Sequence, residues 1–249
     1  MLIKVDLHNH TNFSFDGEMT PQTLVDHYAD KGFGAVAVTD HNSRLGALAV
    51  AELNPPFKVI AGVEVKSRHG EIIGLFVNED IKPGMSAVET AQAIHQAGGL
   101  TLLPHPFIAL VISRMDERQL PDLIEHLDIV EALNARGDDP SEDRYAYLWA
   151  KTHGLAMSAG SDAHHVGGVG NGYVLMEDFQ GKDDFLEKLK KGSLICTQRT
   201  HLYRSFFNWI PGHIFGIRRI SKMHEDYRKG ESMRPLWEQK GARVRPKYW

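Results

Sequence analysis

His8 and His10 stand two residues apart at the end of an apolar run, in Val5-Asp6-Leu7-His8-Asn9-His10. In an extended segment positions i and i+2 face the same side, so both imidazoles can grip one cation. Alone, the pair fits equally well as two polar residues at a strand end. Six more ligand-type residues recur in the same setting: Asp16, His41, Glu64, His105, Asp162 and His164. These eight groups exceed the roughly four to six positions around one ion and call for two or three ions with a bridging carboxylate. Glu64 is the natural bridge, since a carboxylate offers two oxygens. The chain holds 14 histidines and one cysteine, Cys196, so a transition-metal site here draws on nitrogen and oxygen donors. Zinc, manganese and iron(II) all suit that set.

Paired divalent ions polarise a bridging water toward hydroxide and clamp the oxygens of a phosphoryl group, so hydrolysis of a phosphate ester fits. The remaining phosphate oxygens need a cationic fork. Arg136, closing the stretch Glu131-Ala132-Leu133-Asn134-Ala135-Arg136, is the first candidate, weighed against a surface salt bridge; Arg114, on the loop after His105, is the second. His165 is a candidate acid for the leaving alkoxide or a support for its neighbours. Glu131 and Asn134 are expected to hold the rim, and Asp6 and Asp40 to orient ligand imidazoles.

Each of these residues lies at the end of an apolar run. Strands are expected at 2–7, 35–39, 58–65, 100–103, 128–133, 155–159 and 193–196, several apolar throughout, as strands buried on both faces are. An extra short strand at 71–77 reads as the hairpin partner of the third. Helices are expected between strands: one opened by Thr20-Pro21, one over 88–97 closed by Gly98-Gly99, one over 141–153 ending at Gly154. Parallel strands place all their C-terminal ends on one rim, where residues more than a hundred positions apart can meet. The fold class is therefore α/β, a barrel or a wound sheet. Gly167-Gly168-Val169-Gly170 lacks the Lys-Ser/Thr ending of a phosphate loop and reads as a flexible connection. Tyr145, Tyr147 and Trp149 are expected to pack rather than to stack on bases.

Composition is that of an ordinary globular chain: 249 residues, 42% hydrophobic, 24% charged, net charge -4. Disorder, a disulfide scaffold and a zinc ribbon are excluded as organising principles. No run of eighteen apolar residues occurs, the start MLIKVDLHNH does not read as a secretory leader, and the single cysteine fits a cytoplasmic location. Charge is unevenly placed. Residues 199–249 carry twelve Lys/Arg against four Asp/Glu, whereas residues 1–198 carry 16 against 28. An acidic barrel over 1–198 and a basic extension over 199–249 are the expected divisions. Within the extension, the aromatic and basic run from Phe206 to Lys222 reads either as packing on the barrel or as a peripheral membrane contact, Pro211-Gly212 counting against the latter.

The stretches carrying His8, His10, Asp16, His41, Glu64, His105, Asp162 and His164 resemble, in order and spacing, the motifs of the PHP (polymerase and histidinol phosphatase) superfamily over roughly residues 1–198. The resemblance implies a distorted (β/α)7 barrel with a metal cluster at the C-terminal rim of its strands. It implies that His8, His10, Glu64 and Asp162 hold one metal, that Glu64 and His105 hold a second, and that Asp16, His41 and His164 hold a third. It also implies that an arginine in the position of Arg136 contacts substrate phosphate. One departure stands out. Many members carry a histidine on the strand after the bridging glutamate, and here that strand reads Glu71-Ile72-Ile73-Gly74-Leu75-Phe76. Either the second metal is weakly held, or it uses water, or it recruits Glu71 or His69; the favoured expectation is that His69 and Glu71 are solvated hairpin residues.

Three functions compete: a phosphoesterase acting on a small, nucleotide-like phosphomonoester; a nuclease or 5′-end exonuclease using the same centre on an oligonucleotide end; and a non-catalytic metal-binding module. The acidic body argues against long nucleic acid lying across it. No obligate protein partner is evident.

Overall fold

The computed structural model describes residues 1–200. Its elements are β1 Leu2–Asp6, α1 Pro21–Asp30, β2 Ala35–Val38, α2 Leu45–Glu52, β3 Lys58–Lys66, β4 Glu71–Leu75, α3 Ala87–Gln96, β5 Leu100–Leu103, α4 Leu120–Leu123, β6 Ile129–Asn134, α5 Pro140–Thr152, β7 Ala156–Gly160, β8 Gly172–Glu177, α6 Gly181–Leu189 and β9 Ser193–Cys196. The strands hydrogen-bond in the order β7-β6-β5-β4-β3-β2-β1-β8-β9. Pairing is parallel across β1–β2–β3 and across β5–β6–β7. β4 runs antiparallel between the two sets, and β8 antiparallel between β1 and β9. The seven strands expected from sequence thus share one direction, and two reversed strands interrupt them. β4 is the expected partner of β3. β8 is an addition, its Val174 and Met176 buried while Tyr173 and Leu175 are half-exposed.

The sheet curls into a nearly closed, distorted barrel that brings the chain after β7, at one end of the order, against the chain after β1 at one rim. Past β1 and β7, Asn9 and Ala163 form a parallel bridge; His10 N donates to Ala163 O at 2.9 Å and Asp162 N to His8 O at 2.8 Å. Ile3, Val5, Ala35, Ile60, Ile73, Leu102 and Ile129 fill the interior beneath that rim. Val36, Val38 and Val59 face outward onto α1 and α2, and Val63, Ile72 and Leu103 onto α3 and α4. The alternation of two residues per strand repeat supplies both faces.

Local signals set the helix ends. Thr20 caps α1 by accepting from Thr23 N at 3.1 Å, with Pro21 in the first turn. Ser86 and Glu89 form a reciprocal capping box on α3, and Gly98, at φ 78°, ends it. α5 buries only Ala146 and Ala150, one turn apart. Tyr145 and Trp149 both pack against the Phe107 ring, at 4.5 and 5.9 Å, as expected, although Tyr145 stays 54% exposed; Tyr147, 40% exposed, lies on the open side of the helix. Among the described residues no helix is long and apolar enough to cross a membrane. The basic and aromatic stretch from residue 201 onward lies outside the described residues.

Candidate metal centre

The first two ligand candidates depend on a broken pleat. Ile3, Val5 and Leu7 face the barrel interior, so uninterrupted alternation would turn His8 outward. Asp6 Oδ1 accepts from His8 N at 3.2 Å, an Asx-type turn that interrupts the alternation where β1 ends. His8 and His10 then both face inward, their Nε2 atoms 3.2 Å apart. Asp6 also accepts from Tyr28 Oη at 2.7 Å and Ser161 N at 3.1 Å, tying β1 to α1 and to the chain after β7. Burial raises its carboxyl to about 6, against the lowering pull of those donors. Asp6 therefore orients backbone rather than an imidazole, a correction to the sequence reading.

All eight expected ligands converge. His8 Nε2 lies 3.5 Å from Glu64 Oε1 and 3.6 Å from Asp162 Oδ1; His10 Nε2 lies 3.4 Å from Glu64 Oε2 and 3.6 Å from Asp162 Oδ1. Glu64 Oε1 is 3.1 Å from His105 Nε2, and Glu64 Oε2 is 3.1 Å from His41 Nδ1. Asp16 spans 3.6 Å to His41 Nε2 and 3.3 Å to His164 Nε2. Donor atoms about 2 Å from a shared ion sit about 3.3 Å apart, so the spacing fits cations. Burial points the same way: His8, His10, Glu64, His105, Asp162 and His164 are all buried, and Asp16 Oδ1 and His105 Nδ1 are buried without a hydrogen bond. His105 and Asp162 adopt left-handed backbone, φ 30° and 49°, strained for residues with a Cβ and concentrated at this rim.

Outer contacts fix the imidazoles. His8 Nδ1 meets Glu131 Oε1 at 3.0 Å, and His10 Nδ1 meets Ser14 Oγ at 2.9 Å, leaving each Nε2 for the cluster. Ser14 Oγ donates to Asp40 Oδ1 at 2.8 Å, so Asp40 acts on His10 only through Ser14. Gly160 is required here, because a Cβ on it would run into Glu131 Oε1 and His8 Cβ. Glu131, expected as a rim residue, is the acceptor that orients His8; Asn134 donates to it at 2.9 Å.

The charges are strongly coupled. Burial would lower His8 and His41, yet Asp162, Glu131 and Glu64 around the first, and Asp16 and Glu64 around the second, hold both well above the ordinary imidazole value. His10 is held well below it, by burial and by the imidazoles of His164 and His41. Burial alone would raise Glu64 and Asp162, but His8 and its neighbours pull both carboxyls down.

Glu71 corrects the expectation of a solvated hairpin residue. It is 5% exposed, with Oε1 3.8 Å from His41 Nδ1 and Oε2 3.9 Å from His105 Nε2. Burial, then the charge of Glu64, raises its pKa. The signal lay in β4: Glu71, Ile73 and Leu75 alternate onto one face, and Ile73 pairs with Glu64 across the ladder. His69 is elsewhere, its Nδ1 accepting from Ala87 N at 3.3 Å.

Arg136 reaches the cluster, Nη1 lying 3.5 Å from Asp162 Oδ1 and 3.2 Å from His164 Nδ1. Asn134 Oδ1 shapes its loop by accepting Arg136 N at 2.8 Å. Arg114 is half-buried, and its Nε has no hydrogen-bond partner. His165 is half-buried, its Nδ1 accepting from Gly167 N at 3.2 Å to cap the short turn Val166–Gly168.

A family model described as PHP-associated matches residues 140–194. A protein of Methanocaldococcus jannaschii is 37% identical over 147 residues, covering 53% of this chain and 82% of that protein. The fold is similar to that of a two-domain protein of Bacteroides vulgatus containing a predicted PHP-like metal-dependent phosphoesterase, with TM-score 0.65 and 17% identity, covering 79% of this chain and 65% of that one. It is also similar to the lesion-specific endonuclease of Pyrococcus furiosus, with TM-score 0.60 and 16% identity, covering 79% of this chain and 58% of that one. The chain thus spans less than two thirds of the length of either solved structure.

Proposed function

We propose that this chain, whose residues 140–194 match a PHP-associated family model, belongs to the PHP superfamily and hydrolyses a small, nucleotide-like phosphate monoester at the cluster beside Arg136. The observation that carries the reading is a fixed guanidinium, 19% exposed, set 3.5 Å from a ligand-type carboxylate of Asp162. A cation in that position can hold the phosphoryl oxygens that the metal ions leave free.

His8, His10, Glu64 and Asp162 would hold one ion, Glu64 and His105 a second, and Asp16, His41 and His164 a third. Divalent ions bound there supply charge neutralisation and a nucleophilic water near neutral pH. Arg136 grips and orients the phosphate through its planar fork. The buried imidazoles and carboxylates exclude bulk water, which strengthens each of these contacts. His165 holds its turn through Nδ1, which leaves Nε2 as the atom that would donate a proton to the leaving alkoxide.

Cleavage of an oligonucleotide end is the second reading, supported by the fold similarity to the endonuclease. Against it stands the acidic body, since a nucleic-acid strand needs many cations along its path. Manganese-loaded protein should turn over p-nitrophenyl phosphate, and chelator should abolish the reaction. Faster cleavage of bis-p-nitrophenyl phosphate would favour the nuclease, and metal binding with neither turnover would favour a non-catalytic module.

A further inference from the structure

We infer that Glu71 is a direct ligand of the second metal position, together with Glu64 and His105. The inference rests on the metal-centre reading above. Glu64 and His105 alone give that position two side chains, too few for a stable divalent site. Glu71 is the buried group at hand: its oxygens lie 3.9 Å from His105 Nε2 and 3.8 Å from His41 Nδ1, and one of them groups with donors of His41 and Glu64 within 4.8 Å.

The position of Glu71 is built in. Gly70, at φ 139°, turns the chain between β3 and β4, and a Cβ on it would strike the Met115 backbone. Glu71 N donates to Ser113 O at 3.0 Å, so the loop after His105 packs onto the start of β4. Strand alternation then directs the carboxylate to the same face as Glu64. Among the described residues the lysine paired with it is Lys66, 47% exposed and 3.9 Å away, a weak match for a buried carboxylate that faces a second one. A divalent cation between Glu64 and Glu71, reached by His105 on one side and bordered by His41 on the other, would satisfy both carboxylates. Two carboxylates and one imidazole form a hard donor set, which favours manganese(II) over zinc at this position.

The test is titration of metal-free protein with manganese, free ion being followed by its paramagnetic resonance signal. Glu71→Gln keeps the shape and removes the charge. It should bind one ion fewer per chain than the natural sequence, or bind its weakest ion at least about tenfold less tightly, the lower end of what even outer-sphere partners contribute. Glu71→His should restore the number of ions and shift the preference toward zinc. Should Glu71→Gln fail to fold without metal, Glu71→Asp takes its place, since one methylene less withdraws the carboxylate. Unchanged number and affinity in whichever of the two folds overturns the assignment. Binding is read without substrate. A chain that shows the expected loss and yet cleaves no phosphate ester therefore refutes the phosphoesterase and leaves Glu71 as a ligand.

Discussion

Glu131 serves two ligand candidates at once: its Oε1 lies 3.0 Å from His8 Nδ1, and its Oε2 accepts from the His105 backbone N at 2.7 Å. One buried carboxylate thereby sets the tautomer of one imidazole and the strained backbone of another. Glu131→Gln keeps the size and loses the charge. Metal affinity should fall by about 10–100-fold, measured by competition with a chromophoric chelator. Affinity equal to that of the natural sequence would mean that His8 is oriented by packing alone.

Arg136→Ala should weaken turnover of phosphate monoesters while metal content stays the same. Removing one partner of a buried charged contact costs roughly 2–5 kcal/mol, read here from kcat/KM beside elemental analysis. Lysine should rescue in part, lacking the planar fork. Unchanged kinetics would return Arg136 to the class of surface cations.

Metal uptake should release protons. His8 and His41 are held well above the ordinary 6.5, the carboxylates around them outweighing burial. A raised imidazole gives the metal-free protein stability that is complete below its unfolded pKa and is lost as pH rises through the folded value. Glu64 and Asp16 are held well below their ordinary values, where histidine charges outweigh burial. Their contribution is present above the unfolded pKa and is lost as pH falls through the folded value. Metal-free protein should therefore be most stable between these limits, and metal must displace the imidazole protons as it binds. Calorimetric heats of manganese binding at pH 7 should differ among buffers of different ionisation enthalpy. Equal heats would show that the imidazoles are already neutral.

Arg199 straps the end of the described chain to the Arg136 loop. It donates to Gly137 O at 2.9 Å and pairs with Asp143, while Thr200 N donates to Ala135 O at 2.7 Å. Arg199→Ala leaves Asp143 without its cation, and hydrogen bonds to charged groups contribute roughly 1.5–3 kcal/mol. The midpoint of urea unfolding should fall accordingly, with metal stoichiometry retained. An unmoved midpoint would make the strap a passive contact.

Most of the metal centre was legible because its ligands end apolar runs, and apolar runs of parallel strands end on one rim. β4 was legible too, as the hairpin partner of β3, whereas β8 was not expected at all. α2, Leu-Gly-Ala-Leu-Ala-Val-Ala-Glu, is apolar nearly all round and so carries no helical stripe to read. From sequence Glu71 is a candidate recruit to the second metal, set aside because a carboxylate beside a turn ordinarily faces water; its pairing with β3 reveals its direction. The role of Asp6 was misjudged for a related reason. A backbone turn that resets strand parity depends on hydrogen bonds that residue spacing does not encode.

The barrel closes where its ligands lie, His8 and His10 against Asp162 and the bridge of Asn9 with Ala163. As the chain is synthesised, His8 emerges early and must wait for Asp162. At about 5–20 residues per second that wait is roughly 8–30 s. A nascent chain that stops short of β7 can present histidines to a metal but cannot enclose it. Loading of the first proposed position would thus be tied to completion of the barrel, and an ion bound there would act as a late clasp on the rim. Metal scarcity should accordingly reveal itself in the lifetime of the closed rim more than in the speed at which the sheet assembles.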